Sequence, residues 1–164
     1  MRYFITFVCY GAHIHSDEPG SVDLKHNIPG TPFLDPYPKR VSVERERMDQ
    51  PPYLLDRARR AIVLESLTET CLHRGWNLLA AHVRTNHVHI VVEAEVKPEK
   101  IMSDFKSYAS RGLNRLGRDG LDRKRWARHG STRWLWKDKD VKDAIRYVVE
   151  HQGEPMALFL AAGL

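Results

Sequence analysis

Two β-favouring runs, residues 76–83 and 87–93, are separated only by Arg84-Thr85-Asn86. So short a polar link predicts that they fold back on each other as an antiparallel hairpin. Helical patterns flank this hairpin on both sides. Residues 53–73 are rich in Ala, Leu, Arg and Glu and stop before Gly75, a C-terminal cap. Beyond Pro98, residues 99–116 place Met102, Phe105, Ala109, Leu113 and Leu116 at spacings of three and four, one core-facing stripe.

An N-terminal strand over residues 2–10, ended by Gly11, precedes the first helix. A strand over residues 132–136 follows the second. Asp138 or Asp140 then caps a last helix carrying Val141, Ile145, Val148 and Val149, closed by Gly153 and Pro155. Strand, helix, hairpin, helix, strand is the βαββαβ order of an α+β, ferredoxin-like fold: one antiparallel sheet with helices on one face.

The 164 residues suit a single domain spanning 1–164. Its exception is residues 11–52, where Pro19-Gly20, Pro29-Gly30, Pro32, Pro36, Pro38 and Pro51-Pro52 break regular structure, with Val41-Ser42-Val43 as a short strand candidate. A mean hydropathy of −0.49 and the lack of any apolar run near the ~20 residues of a membrane span point to a cytoplasmic protein with no membrane partner. The first ten residues are too short and too polar for a signal peptide. Cys9 and Cys71 are too few for a disulfide scaffold. A net charge of +5 raises the odds of a nucleic-acid partner modestly.

His87 and His89 carry the clearest chemistry. In a strand, side chains i and i+2 share a face, so both imidazoles point one way while Val88, Ile90 and Val92 point to the core. Such a pair can converge on a divalent ion; a pair of hydrogen-bonded strand histidines is the competing reading. His13-Ile14-His15 has the same form, but no apolar strand follows to fix its geometry. On the second helix Asp104, Tyr108, Arg111 and Arg115 share one polar face, where cations could hold a phosphate or stabilise a phenolate. The alternative for Tyr108 is a surface tyrosine packed at the core's edge.

The run Asn86-His87-Val88-His89-Ile90-Val91-Val92, some twenty residues ahead of Lys106-Ser107-Tyr108-Ala109-Ser110-Arg111-Gly112, resembles the HUH single-tyrosine transposases, the insertion-sequence-200-like and REP-associated groups. Tyr3-Phe4-Ile5-Thr6-Phe7 is similar to their first strand, and Trp134-Leu135-Trp136-Lys137-Asp138 through Ala144-Ile145-Arg146-Tyr147-Val148 to their last strand and helix. The resemblance implies a strand transferase in which Tyr108 attacks a DNA phosphodiester to give a 5′-phosphotyrosine. His87 and His89 would bind Mg²⁺ or Mn²⁺, with no nucleotide cofactor. Some relatives carry a glutamine ligand one turn after the tyrosine, where this chain has Gly112. Asp104 and Asn114 are the substitute candidates.

Single-stranded or hairpin DNA is the implied partner, with a homodimer left open. Arg111, Arg115, Arg123, Lys124, Arg125 and Arg128 would neutralise phosphates, and Trp126 is the expected base-stacking residue. Trp134 and Trp136 share one strand face, so at least one is expected in the core. The cluster Arg57, Arg59 and Arg60 is expected to be exposed. The Gly112 departure favours one alternative, a domesticated DNA-binding protein without cleavage. A rolling-circle initiator would need an appended domain, and the nine histidines are too dispersed for metal storage.

Overall fold

The computed structural model describes residues 1–12 and 48–164, so His13-Ile14-His15 and Val41-Ser42-Val43 lie outside the described residues. The expected hairpin is present: β2 (Asn77–Val83) and β3 (His87–Glu93) pair antiparallel across residues 84–86. β1 (Arg2–Val8) pairs antiparallel with β3 on one side and with β4 (Ser131–Trp134) on the other. A short strand that the sequence reading did not anticipate, β5 (Ala157–Leu160), pairs with β2. The sheet order β4-β1-β3-β2-β5 contains the ferredoxin-like 4-1-3-2 arrangement with one added edge.

Strand alternation sorts the core. Tyr3, Ile5 and Phe7 of β1 point with Val88, Ile90 and Val92 of β3 to one side, beneath α1 (Arg57–Arg74) and α2 (Pro98–Leu116). From the helices, Val63, Leu67, Phe105, Ala109 and Leu113 complete this cluster, each buried apolar side chain contributing about 1.5–3 kcal/mol. Asp56 caps α1 by accepting the Arg59 N–H at 2.9 Å, and Gly75 ends it in the left-handed conformation at φ 73°.

The two helices of the βαββαβ unit share one face as expected; the last one does not. Helix α3 (Asp138–Glu150) packs Val141, Ala144 and Val148 on the opposite face, against Leu79, Ala80, Val91 and Leu135. A bulge between Leu78 and Ala80 puts the consecutive residues Leu79 and Ala80 on this same face, where both pack against the helix.

Gly112 has a packing role. A Cβ there would sit 2.7 Å from the Ser66 Oγ and 2.9 Å from the Ile62 Cγ2, so α1 and α2 approach each other only because the residue is glycine.

His82 joins α3 and β5 to the sheet. It is fully buried, its Nδ1 lies 3.1 Å from the Val148 carbonyl, and its Nε2 accepts the Met156 N–H at 2.9 Å. The ring is therefore neutral with its proton on Nδ1. Burial pulls its pKa below the ordinary 6.5, with Arg84 acting in the same direction and the Val148 bond opposing. The unfolded chain then binds the proton more readily. The contribution of His82 is complete above 6.5 and is lost as pH falls through the depressed folded value. Thermal melts from pH ~7.5 down to ~5.5 should show falling stability. His82→Leu should be less stable than wild type by about 1–3 kcal/mol at neutral pH, with two stranded backbone groups, and less sensitive to acid.

Candidate active site

The even-numbered face of β1 and the His87, His89 face of β3 lie on the α3 side of the sheet. Register places Thr6 beside His89, and the Thr6 Oγ1 is 2.7 Å from the His89 Nδ1. The Asn86 Oδ1 is 2.7 Å from the His87 Nδ1. An amide oxygen only accepts, so His87 carries its proton on Nδ1 and its lone pair on Nε2. Fixing one ring nitrogen in this way orients the other, the arrangement that metal-ligating imidazoles use. The two ring centroids are 4.8 Å apart. Among the described residues, no group of three His, Cys, Asp or Glu side chains lies close enough to hold an ion. The pair fits two positions of a metal site and leaves the third unassembled.

The tyrosine beside this pair is Tyr147 of α3. Its ring centroid is 5.5 Å from that of His89 and 5.9 Å from that of Phe4, and Phe4 stacks on His89 at 5.7 Å with an interplanar angle of 18°. His151, one turn further along, has its ring 6.5 Å from Tyr147. The Arg133 side chain leans over the Phe4 ring, with Cζ 5.5 Å from its centroid. Burial disfavours the charged form of Arg133, and the Asp140 charge partly opposes that.

Tyr108 is elsewhere. It projects from α2, on the other side of the sheet, where its ring lies 6.2 Å from that of His73 and under the Arg111 guanidinium at 5.0 Å. The expected grouping of Tyr108 with His87 and His89 is thus not formed within the chain. Asp104 pairs with Lys100 at 2.7 Å and Arg74 at 3.1 Å on that same helix layer. Asn114 is exposed on α2, so neither candidate ligand stands beside the histidines. The glutamine position sought at Gly112 is a helix crossing. Counted from Tyr147, the residue one turn on is His151.

The signal for Tyr147 was present in the sequence. Tyr147 and His151 are four apart on a helix whose apolar residues face the sheet, next to a strand run whose parity sends both histidines to one face.

The basic segment divides by burial. Arg125 is only 7% exposed and ion-paired with Asp119 at 3.1 Å; Asp119 also accepts from Tyr53 at 2.6 Å and from Arg59 at 2.9 Å. Of the cluster expected to be exposed, Arg59 is therefore largely covered. Burial pushes the Asp119 carboxyl up, but the hydrogen bonds from Tyr53, Arg59 and Arg125 outweigh it and hold it below the usual range. Burial and Asp119 push the Tyr53 hydroxyl up to about 12.

Trp126 packs edge-on against Phe7 and donates its indole N–H to the Lys106 carbonyl and the Ser110 Oγ, contacts that fix the ring within the fold. Lys106, pushed down to about 8 by burial, donates to the Ala127 and His129 carbonyls. Arg123 and Lys124 tie residues 49–51 to this segment. Arg111, Arg115 and Arg128 are exposed. Neither Trp134 nor Trp136 is in the core, contrary to expectation: they are 38% and 67% exposed and stack on each other at 4.9 Å and 11°. Asp119→Ala, which strands two shielded arginines, should cost about 3–5 kcal/mol in urea unfolding, whereas Arg128→Ala should change stability by about 0.5 kcal/mol or less.

A model of the family described as "Transposase IS200 like" matches residues 52–145. No curated protein matches the chain. Among solved structures, a REP-associated tyrosine transposase bound to a REP hairpin is similar at 9% identity and a TM-score of 0.48, covering 90% of this chain. The chain spans 63% of the length of that structure.

Proposed function

The chain belongs to the IS200-like transposase family, and from that premise we propose that it cuts and rejoins single-stranded DNA with Tyr147 as its nucleophile. The observation that carries the assignment is the placement of the Tyr147 ring 5.5 Å from His89, on the sheet face that bears both histidines. In the proposed reaction the Tyr147 Oη forms a bond to phosphorus and its proton leaves to solvent. The P–O3′ bond breaks and the departing oxygen takes up a proton. The products are a 5′-phosphotyrosine and a free 3′-hydroxyl. Attack by a 3′-hydroxyl on the phosphotyrosine releases Tyr147 and remakes a phosphodiester, so no nucleotide cofactor is needed.

His87 and His89 would hold Mg²⁺ or Mn²⁺, with His151, one turn after Tyr147, as the candidate third donor. When bound, the ion polarises the scissile phosphate. Thr6 and Asn86 hold the two imidazoles in orientation, and the Asn86 oxygen, which only accepts, also sets the His87 tautomer. Tyr147, His87, His89 and His151 all belong to one chain, so the reaction does not require an exchanged helix from a second subunit. As the resemblance implies, the substrate is a strand bearing a hairpin. Exposed Arg111, Arg115 and Arg128 add counter-charge, and Trp136 offers an open ring on which an unpaired base gains about 1–3 kcal/mol.

The test is a covalent adduct assay on a pool of hairpin-containing single strands with Mn²⁺, read on a denaturing gel. Wild type and Tyr108→Phe should form the adduct, Tyr147→Phe should not, and a chelator should abolish it. The opposite pattern of variants would return the nucleophile to Tyr108, acting on the histidines of another copy. DNA binding with no adduct from any form would leave a DNA-binding protein without cleavage.

A further inference from the structure

Arg133 has no part in the site as the family pattern describes it, yet the register puts it there. It lies opposite Phe4 in the β1–β4 ladder, so it emerges on the same face as Phe4, Thr6, His87 and His89. One aromatic ring links it to the reacting groups. The guanidinium carbon is 5.5 Å from the Phe4 centroid, and that ring is 5.7 Å from His89 and 5.9 Å from Tyr147.

Its surroundings do not account for its charge. Arg133 is half-buried, its Nε is shielded from solvent, and that Nε has no hydrogen-bond partner among the described residues. Its Asp140 neighbour acts through space and uses its own carboxylate to accept the Lys137 N–H at 3.3 Å in the cap of α3. The other shielded arginines, Arg59 and Arg125, also leave one nitrogen each without a hydrogen bond, but both are ion-paired. Arg125 is paired with Asp119, and Arg59 with both Asp56 and Asp119. A partly desolvated guanidinium without an acceptor is costly to the folded protein, and that cost is recovered when an anion arrives. The planar fork of N–H groups matches two oxygens of one phosphate.

We propose that Arg133 binds the scissile phosphate of the DNA strand, its guanidinium donating to the two non-bridging oxygens while Tyr147 attacks phosphorus. This rests on the transesterase reading above. As the Tyr147 Oη–P bond forms and the P–O3′ bond breaks, negative charge accumulates on those oxygens, and Arg133 is already fixed beside them.

The experiment uses a hairpin strand whose cleavage position has been mapped with wild type, synthesised with either a normal phosphate or an uncharged methylphosphonate at that position. Binding is measured in the uncleaving Tyr147→Phe background. The methylphosphonate should weaken binding to Tyr147→Phe roughly tenfold, and to Tyr147→Phe/Arg133→Met by about twofold or less. In single-turnover adduct formation Arg133→Met should be slower by roughly 100-fold, with Arg133→Lys intermediate. The melting temperature of Arg133→Met should not fall, since a half-buried cation with a shielded, unpartnered N–H has been removed; this separates a phosphate contact from a structural role. An equal response of both backgrounds to the methylphosphonate, or a wild-type adduct rate in Arg133→Met, overturns the proposal.

If wild type forms no adduct on any strand, the transesterase reading fails, and so does the assignment to a scissile phosphate. A methylphosphonate scan of a bound strand then separates the two ideas. A single Arg133-dependent position shows that Arg133 still holds a phosphate; no such position removes that role as well.

Discussion

The antiparallel pairing of β1 with β3, seven residues in register from Arg2 opposite Glu93 to Val8 opposite His87, decides which side of the sheet every central side chain occupies. A strand has only two faces, so one register sends Tyr3, Ile5, Phe7, Val88, Ile90 and Val92 under α1 and α2 and sends Phe4, Thr6, His87 and His89 to the other side. A slip of one residue would bury the histidines against Phe105 and Leu113 and expose the valines. The apolar cost of that exchange locks the register, and the register in turn sets the Thr6 contact to His89. Stability and site geometry therefore rest on the same ladder.

Elements with a strong period were legible in the sequence. The hairpin, β1, both helices of the βαββαβ unit and the closing helix α3 follow from alternation, three-and-four spacing and the cap at Gly75. The face of α3 was harder to read, because it depends on a bulge between Leu78 and Ala80 that no turn residue announces. β5 escaped because Ala157-Leu158-Phe159-Leu160 is short and acquires its strand character only from the free edge of β2. The histidine pair was visible in the run itself. The tyrosine that the fold places beside it was harder to single out, because Tyr108 and Tyr147 both sit on amphipathic helices after the histidines, and only the layer to which each helix belongs separates them. Pairing His87 with the nearer tyrosine also marked Gly112 as a departure, whereas in the fold Gly112 is the point where α1 and α2 cross.

Charge in the segment between α2 and β4 looked uniform in sequence and is not uniform in space. Arg125 and Arg59 converge on Asp119, with the Tyr53 hydroxyl on the same carboxylate, and so build the connection that leads the chain from α2 to β4. Trp126 and Lys106 lock the same connection from the helix side through carbonyl and hydroxyl acceptors. A basic stretch reads as a nucleic-acid surface only where its cations lack internal partners, and here most of the cations between residues 119 and 127 have them. What remains outward is the exposed set on α2 with Arg128, and the stacked indoles of Trp134 and Trp136 at the sheet edge.

Among the described residues, the helices cover the two faces of the sheet unequally, and the proposed reaction would use the less covered one. Five strands at about 4.8 Å spacing span roughly 24 Å, while a helix with its side chains is about 10–12 Å across. Two helices close one face; α3 alone cannot close the other, and it lies toward β2 and β3, where Leu79, Ala80 and Val91 pack against it. The half that the described helices leave belongs to β1 and β4, whose residues on that side, Phe4, Thr6, Ser131 and Arg133, are only half-buried. Tyr147 and the histidines stand along the boundary between the covered and open halves. Protein packed against each of these groups fixes its direction, Thr6 and Asn86 for the imidazoles and Phe4 for the Tyr147 ring. For the proposed transesterase, such a boundary would reconcile two opposing demands: rigid orientation of the nucleophile, and access for a polymer that must cross the site without threading through it.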